Sequence, residues 1–285
     1  MGQRRFTGHR SAAEKNDIQI VASIRHRHTD GMRIHCLGTG GYHPSELRQT
    51  SCYFLAKNGI LIDAGSGAFR LAPLIQTDSI DILLSHAHLD HIVGLTYLLD
   101  VFYQRPIKRL RIWGEQEKLQ AVRSHLFSDP IFPVELIATW HPIDDLDSFR
   151  IGAPDAEAAT VTWRRQTHPG GSVAYRLQWP HVNKSLVYAT DTVGDESNEM
   201  SDWIQSVDLL MHECNFTDDA QAWAIKTGHC WTSRAAGIAN AARVKHLLLT
   251  HVNPLADPID PVDIKQAQTI FPNSTIATDM SAIDF

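Results

Sequence analysis

The chain has 285 residues, of which 43% are hydrophobic and 20% charged, with a formal net charge of −6. This composition is typical of a globular protein, and the negative charge argues against a protein that holds long nucleic acids on a basic surface. No apolar run approaches the roughly 20 residues of a membrane-spanning helix. The four cysteines are scattered without a C-x-x-C pair, as in a reducing compartment. We therefore expect a cytoplasmic protein that does not span a membrane.

The N-terminal segment is polar and Arg-rich, and it lacks the apolar stretch of a secretory signal. We expect a flexible leader over residues 1–30. No repeat, low-complexity tract or long linker interrupts the rest of the chain. The sequence therefore predicts one folded domain over residues 31–285.

The first half of this domain is rich in predicted strands. MRIHCLG (32–38) is the first, and the runs CYFLAK and ILIDAG follow on either side of Asn58-Gly59, a strong hairpin signal. DILLS (81–85) is a short continuous apolar run, typical of a strand covered on both faces. IVGLTYLLDVFYQ (92–104) then has apolar residues at helical spacing, which predicts a helix.

In the second half, predicted strands alternate with helices. LRIWG predicts a strand and EKLQAVRSHLF a helix, whereas VTWRRQTHPGGSVAYRLQW predicts two strands around a turn. SLVYATD, VDLLMHEC and VKHLLLTH predict three further strands, with an Ala-rich helix, SRAAGIANAAR, before the last of them. This order indicates an α/β or α+β protein in which helices cover the sheets.

Residues of the kind that bind metals follow four of these predicted strands. They comprise five histidines and two aspartates: His86, His88, Asp90, His91, His168, Asp191 and His251. Imidazole and carboxylate are ligands of zinc and similar metals, and sites are often built in the crevice beyond strand ends. Seven ligands suit two metal ions with one carboxylate between them. The pattern therefore predicts a dinuclear metal site.

The spacing within SHAHLDH (85–91) has a geometric reason. His86 and His88 are two residues apart on an extended segment, so they point the same way and can share one metal ion. Asp90 and His91 lie where the chain turns into a helix, so they are redirected and can serve the second ion.

The H-x-H-x-D-H motif after an apolar strand, a lone His, a lone Asp and a terminal LLLTH together resemble the metallo-β-lactamase superfamily over most of residues 32–255. The resemblance implies an αββα sandwich of two mixed β-sheets flanked by helices, with a dinuclear, usually zinc, site at one edge. It implies one metal ion on His86, His88 and His168, a second on Asp90, His91 and His251, and a bridge by Asp191. It also implies that Asp63, in LIDAG, supports the site without binding metal.

Three further motifs, LGTGG, HEC and GHCWTS, are similar to the ribonuclease Z and small cyclic-phosphodiesterase branch of that superfamily. In that branch a Glu–His pair, matching Glu213 and His229 here, assists phosphodiester cleavage. Ribonuclease Z enzymes commonly hold the tRNA elbow with a long arm between the lone His and the bridging Asp. Only 22 residues lie between His168 and Asp191, which favours a small substrate over tRNA.

We therefore expect a hydrolase with two Zn²⁺, or alternatively Mn²⁺, that cleaves a small cyclic or RNA-derived phosphodiester by attack of a metal-bridging hydroxide. Asp90, Glu213 and His229 are the expected catalytic residues, and the partner is the small substrate or RNA. The main alternative is a ribonuclease Z-type tRNA 3′-processing endonuclease. Further alternatives are a thioesterase or lactonase, an iron sulfur dioxygenase, and a non-catalytic module with a structural metal. The sequence leaves the oligomeric state open, a homodimer included.

Overall fold

A computed structural model describes residues 31–152 and 158–285 of the chain. The part from Met32 to Phe285 is one compact unit. The predicted flexible leader, residues 1–30, lies outside the described residues, and the division of the chain at that point stays a prediction.

The described residues form two β-sheets of seven strands each. The strands in chain order are β1 (Arg33–Gly38), β2 (Cys52–Leu55), β3 (Ile60–Ile62), β4 (Ser79–Leu83), β5 (Arg109–Gly114), β6 (Thr139–Pro142), β7 (Phe149–Ile151), β8 (Ala159–Gln166), β9 (Ser172–Trp179), β10 (Lys184–Ala189), β11 (Leu209–Glu213), β12 (Leu247–Thr250), β13 (Ser274–Ile276) and β14 (Ala282–Asp284). The first sheet has the order β14-β1-β2-β3-β4-β5-β6 and the second β13-β12-β11-β10-β9-β8-β7. Both sheets are mixed: β3 to β6 and β10 to β13 run parallel, and the other neighbours run antiparallel.

Short helices connect the strands and cover the outer faces of the sheets. The α-helices are α1 (Leu89–Ile92), α2 (Leu98–Gln104), α3 (Gln116–Ala121), α4 (Asn198–Ile204), α5 (Gln221–Thr227), α6 (Thr232–Ala241) and α7 (Ile264–Ile270). Single turns of 3-10 helix lie at Ser66–Arg70, Ala72–Leu74, Val93–Tyr97 and Asp218–Ala220, and a π-helical turn lies at Val122–Leu126. Among the described residues, no helix has the length and apolarity needed to cross a membrane.

Three layers of apolar packing hold the two sheets and their helices together. The central layer lies between the sheets and includes Tyr53 and Met211, whereas their neighbours Phe54 and Leu210 belong to the two outer layers. Successive side chains of a strand point to opposite faces, so a strand buried on both faces is apolar throughout. This explains the continuous apolar runs of the sequence and confirms the predicted αββα sandwich.

Two local predictions differ from the structure in their boundaries. The hairpin between β2 and β3 is present, but its last pair is Leu55 with Ile60, so the loop has four residues rather than only Asn58-Gly59. The helix predicted over 92–104 is broken into α1, a 3-10 turn and α2. Gly94 causes the break, because its N–H donates to the carbonyl of Ala64 (2.8 Å) outside the helix.

Candidate metal centre

The seven predicted metal-binding residues meet at one edge of the sandwich, beyond the ends of four strands. His86 and His88 follow β4, and α1 then carries Asp90 and His91. The other three follow β8, β10 and β12 and are His168, Asp191 and His251. Asp191 and His251 have positive φ angles of 51° and 53°, a backbone conformation that non-glycine residues adopt mainly where the surrounding structure requires it. The predicted convergence is therefore present.

The first group of donor atoms comprises His86, His88, His168 and Asp191, whose ligand atoms all lie within 4.8 Å of one another. Asp191 Oδ1 is 3.7 Å from His86 Nε2 and 3.4 Å from His168 Nε2. His168 Nε2 is also 3.4 Å from His88 Nδ1. Three ring nitrogens and a carboxylate oxygen thus surround one point, as in a zinc site.

A second group lies next to the first and comprises Asp90, His91 and His251, again within 4.8 Å. Asp191 Oδ2 is 3.1 Å from His91 Nε2 and 3.2 Å from His251 Nε2. Asp90 Oδ2 is 3.3 Å from each of the same two nitrogens. Asp191 therefore turns one oxygen to each group, which is the geometry of a bridging carboxylate.

Protonation in the first group suits a cation. Burial lowers the pKa values of His86, His88 and His168, so these imidazoles are neutral near pH 7 and offer lone pairs. His86 Nε2 is buried and has no hydrogen-bond partner among the described residues. A buried polar atom without a partner is costly, and a metal ion would satisfy this one.

Negative charge concentrates around the second group. Burial favours the neutral acid at Asp191, but the neighbouring histidines outweigh it and hold its pKa well below the usual range. Burial likewise opposes the charged form of His91, but Asp90, Asp191 and Asp63 raise its pKa well above the usual value. Three carboxylates around one imidazole attract positive charge, which a bound metal ion would supply in place of the proton. The residues present thus fit two divalent cations.

Asp63 lies behind the second group rather than in it. It is fully buried, and its Oδ2 accepts hydrogen bonds from His91 Nδ1 (2.7 Å) and from the Tyr188 hydroxyl (2.8 Å). The Ser85 N–H donates to Oδ1 at 2.8 Å. A carboxylate on the far nitrogen of an imidazole fixes its tautomer and orients the other nitrogen toward a metal.

Several supporting contacts were not predicted from the sequence. The Tyr42 N–H donates to Asp90 Oδ2 (2.7 Å), and His168 Nδ1 donates to the carbonyl of Gly228 (2.9 Å). The Asn215 amide lies 3.2 Å from His251 Nδ1. These contacts join segments far apart in the chain, and no local pattern marks them.

The predicted Glu213–His229 pair forms at the rim of the cluster. Glu213 is fully buried, and its Oε1 lies 3.1 Å from His229 Nδ1. Backbone N–H groups of Thr192 (2.5 Å) and Cys230 (3.0 Å) donate to the same carboxylate. Burial lowers the pKa of His229, but the adjacent Glu213 outweighs burial, and the pKa rises to about 9. His229 therefore carries a proton at neutral pH.

His229 also lies directly beside the predicted metal-binding residues. Its ring stacks on that of His251, with centroids 5.4 Å apart, and lies 5.1 Å from that of His168. One of its ring nitrogens lies within 4.8 Å of ligand atoms of Asp191 and His251. A protonated imidazole thus stands beside the point where the two groups of donors meet.

Comparisons with known proteins agree with this architecture. A family model described as a beta-lactamase superfamily domain matches residues 58–252. Ribonuclease Z of Saccharolobus solfataricus is 29% identical over 292 residues, which cover 88% of this chain and 99% of that protein.

Two solved structures have a similar fold. Human tRNase Z, short form, has a TM-score of 0.68 at 22% identity, with 88% of this chain and 98% of that chain covered. Yeast PDE1 has a TM-score of 0.72 at 15% identity, with 90% and 99% covered.

Proposed function

We propose that this chain, which belongs to the beta-lactamase superfamily, is a phosphodiesterase that works with two divalent metal ions, zinc or manganese. The observation that carries the proposal is the contact between His229 and the buried Glu213 (3.1 Å) beside the seven clustered donors. The donors alone suit many hydrolytic reactions. A proton donor at their rim suits a reaction whose leaving group is a basic alkoxide.

We assign each of the two groups of donor atoms to one metal ion. His86, His88 and His168 would hold one ion, Asp90, His91 and His251 would hold the other, and Asp191 would lie between them. When bound, the two ions polarise the phosphoryl group and lower the pKa of a water molecule to near neutrality.

The protein's own residues position the reactants and move the protons. Asp90, fixed by the Tyr42 N–H, accepts a hydrogen bond from the attacking water and orients it toward phosphorus. His229 gives its proton to the departing oxygen, and Glu213 keeps His229 in the charged form that has this proton to give. Asp63 holds the ring of His91 in the tautomer that leaves Nε2 free for the metal.

The turn between β9 and β10 bears on the size of the substrate. The two strands are joined by residues 180–183 alone, and their pairing begins at once with Trp179 and Lys184. No arm for a tRNA elbow extends from this position, so we propose a small cyclic or RNA-derived phosphodiester as the substrate.

A second candidate is tRNA 3′-processing. The similarity to the Saccharolobus ribonuclease Z, which spans 99% of that protein, favours it. A lactonase also releases an alkoxide, so the substrate screen has to separate it from a phosphodiesterase. The thioesterase and sulfur dioxygenase alternatives use similar ligands but release no alkoxide. The Glu213–His229 pair therefore argues against the thioesterase and the sulfur dioxygenase.

A substrate screen tests the proposal. Purified protein loaded with Zn²⁺ or Mn²⁺ is incubated with nucleoside 2′,3′-cyclic phosphates, cyclic ribose phosphates, lactones and precursor tRNA. We expect hydrolysis of a small phosphodiester, abolished by chelation and reduced in His229→Ala. Efficient cleavage of precursor tRNA alone would instead establish the second candidate, and turnover of lactones alone would refute both.

A further inference from the structure

A cavity of about 410 Å³ lies beside the metal centre, in the size range of small-molecule sites. Asn215 lines it, and the amide of this residue contacts the ring of His251. Phe216 also lines the cavity, with its ring centroid 6.2 Å from that of His229. The cavity and the metal centre thus share a wall on the side of the proposed proton donor.

Trp223 gives this cavity an aromatic face. It lies in α5 and lines the cavity, with 53% of its surface exposed. One helical turn later, Lys226 places its Nζ 4.9 Å from the centroid of the indole ring, and Lys226 is not among the residues that line the cavity. The ammonium group therefore lies over one face of the indole from outside the cavity, and Trp223 itself offers the cavity an aromatic surface for stacking.

The polar lining does not suit a second phosphate group. Asp257 and Asp260 lie in the cavity wall, where their carboxylates accept backbone N–H groups of the loop and of the start of α7. These negative charges repel an anion. A neutral ring with N–H groups at its edge fits the same surroundings, because carboxylates accept such donors.

We propose that this cavity binds the nucleobase of a nucleotide substrate, on the side of the departing oxygen, with the base stacked on Trp223. This inference rests on the proposed function and narrows its substrate class to nucleoside phosphodiesters. Cyclic ribose phosphates without a base would then be poorer substrates, since they leave the cavity unfilled.

Calorimetric titration of the zinc-loaded protein with adenosine 5′-monophosphate and with ribose 5-phosphate tests the inference. The two probes share the sugar phosphate and differ only in the base. Stacking of a base on an aromatic side chain corresponds to roughly 5- to 150-fold in affinity, and we expect the nucleotide to bind more tightly by a factor in this range. Trp223→Ala should remove most of this preference without weakening ribose 5-phosphate, and Trp223→Phe should keep most of it.

The matched control is Tyr103→Ala, since Tyr103 is an exposed aromatic residue that does not line the cavity, and it should leave the preference intact. Equal affinities for the two probes, or a preference that survives Trp223→Ala, would overturn the inference. The same preparations are assayed with bis-p-nitrophenyl phosphate. If the protein hydrolyses this ester but binds the two probes equally, only the nucleobase site is refuted. If it prefers adenosine 5′-monophosphate in a way that depends on Trp223 but does not hydrolyse the ester, the site is upheld and the proposed function is refuted.

Discussion

Replacing Glu213 with glutamine separates the charge of this residue from its shape. Glutamine keeps the size of the side chain and can still accept a hydrogen bond from one of the two backbone N–H groups that Glu213 binds. It removes the negative charge that raises the pKa of His229 to about 9. Without that charge, burial is the largest remaining influence and only Asp191 and Asp90 oppose it, so the pKa of His229 should fall toward its ordinary value of 6.5.

The expected size of the effect follows from the two pKa values. A fall of the pKa from about 9 to 6.5 would lower the protonated fraction of His229 at about pH 8 from about 90% to about 3%, so the form that can donate a proton should decrease by up to roughly 30-fold. Bound metal ions would lower the pKa of His229 in the unchanged protein and in the variant alike. The prediction therefore concerns the difference in this pKa between the two proteins. The pH above which kcat/KM declines should move down by about two units in the variant.

The assay is kcat/KM against pH for two phosphodiesters with different leaving groups. Adenosine 2′,3′-cyclic phosphate releases a basic sugar alkoxide that needs a proton, whereas bis-p-nitrophenyl phosphate releases a phenolate that leaves unaided. His229→Ala should cost about 10²- to 10⁴-fold on the cyclic nucleotide, the range of general-acid catalysis, and much less on the aryl ester. Metal content should not change.

If kcat/KM declines above the same pH in Glu213→Gln as in the unchanged protein, the role given to the carboxylate is refuted. Equal losses on both substrates in His229→Ala would show that His229 binds phosphate or supports the metal site, and the proton-donor assignment would be wrong.

Three further predictions concern the supports of the metal centre and the size of the substrate. Asp63→Asn should weaken metal binding about 10- to 100-fold, measured by zinc titration, because it removes the carboxylate from His91; unchanged affinity would contradict the role given to Asp63. A Cβ on Gly41 would lie 2.3 Å from His251 Cε1, so Gly41→Ala should displace that ring and lower metal occupancy. Gly237→Ala, which meets open space, should leave occupancy unchanged, and equal effects in these two variants would contradict the steric argument. RNA binding should depend only weakly on salt, and a fall of orders of magnitude between about 50 and 200 mM salt would instead indicate an extended nucleic-acid surface.

The convergence of the metal-binding residues could be predicted from the sequence because it depends on local patterns. His86, Asp191 and His251 each follow an apolar run that predicts a strand. Sites in such proteins are commonly built beyond the carboxyl ends of the strands, at one edge of the sheet. The αββα architecture followed from the family resemblance, and the structure confirms it. The division of ligands between two ions also came from the resemblance, and it stays a prediction.

The features that could not be predicted depend on contacts between segments distant in sequence. The hydroxyl of Tyr188 reaches Asp63 across the sandwich, and the N–H of Tyr42, in the loop after β1, reaches Asp90. The break in the helix at Gly94 likewise requires knowledge of where Ala64 lies. Nothing in the pattern around Trp223 indicates a cavity, because an aromatic residue in a short helix is usually part of a core.

The proposal of a phosphodiesterase with two metal ions is tested most directly by adding metal back to the metal-free protein while its activity is measured. Zinc or manganese is added stepwise, and the rate of hydrolysis of bis-p-nitrophenyl phosphate is plotted against bound metal per chain from elemental analysis. Two ions per chain at full activity, with both lost together in Asp191→Ala, is the predicted result. Full activity at one ion per chain, or two bound ions without phosphodiester hydrolysis, would contradict it.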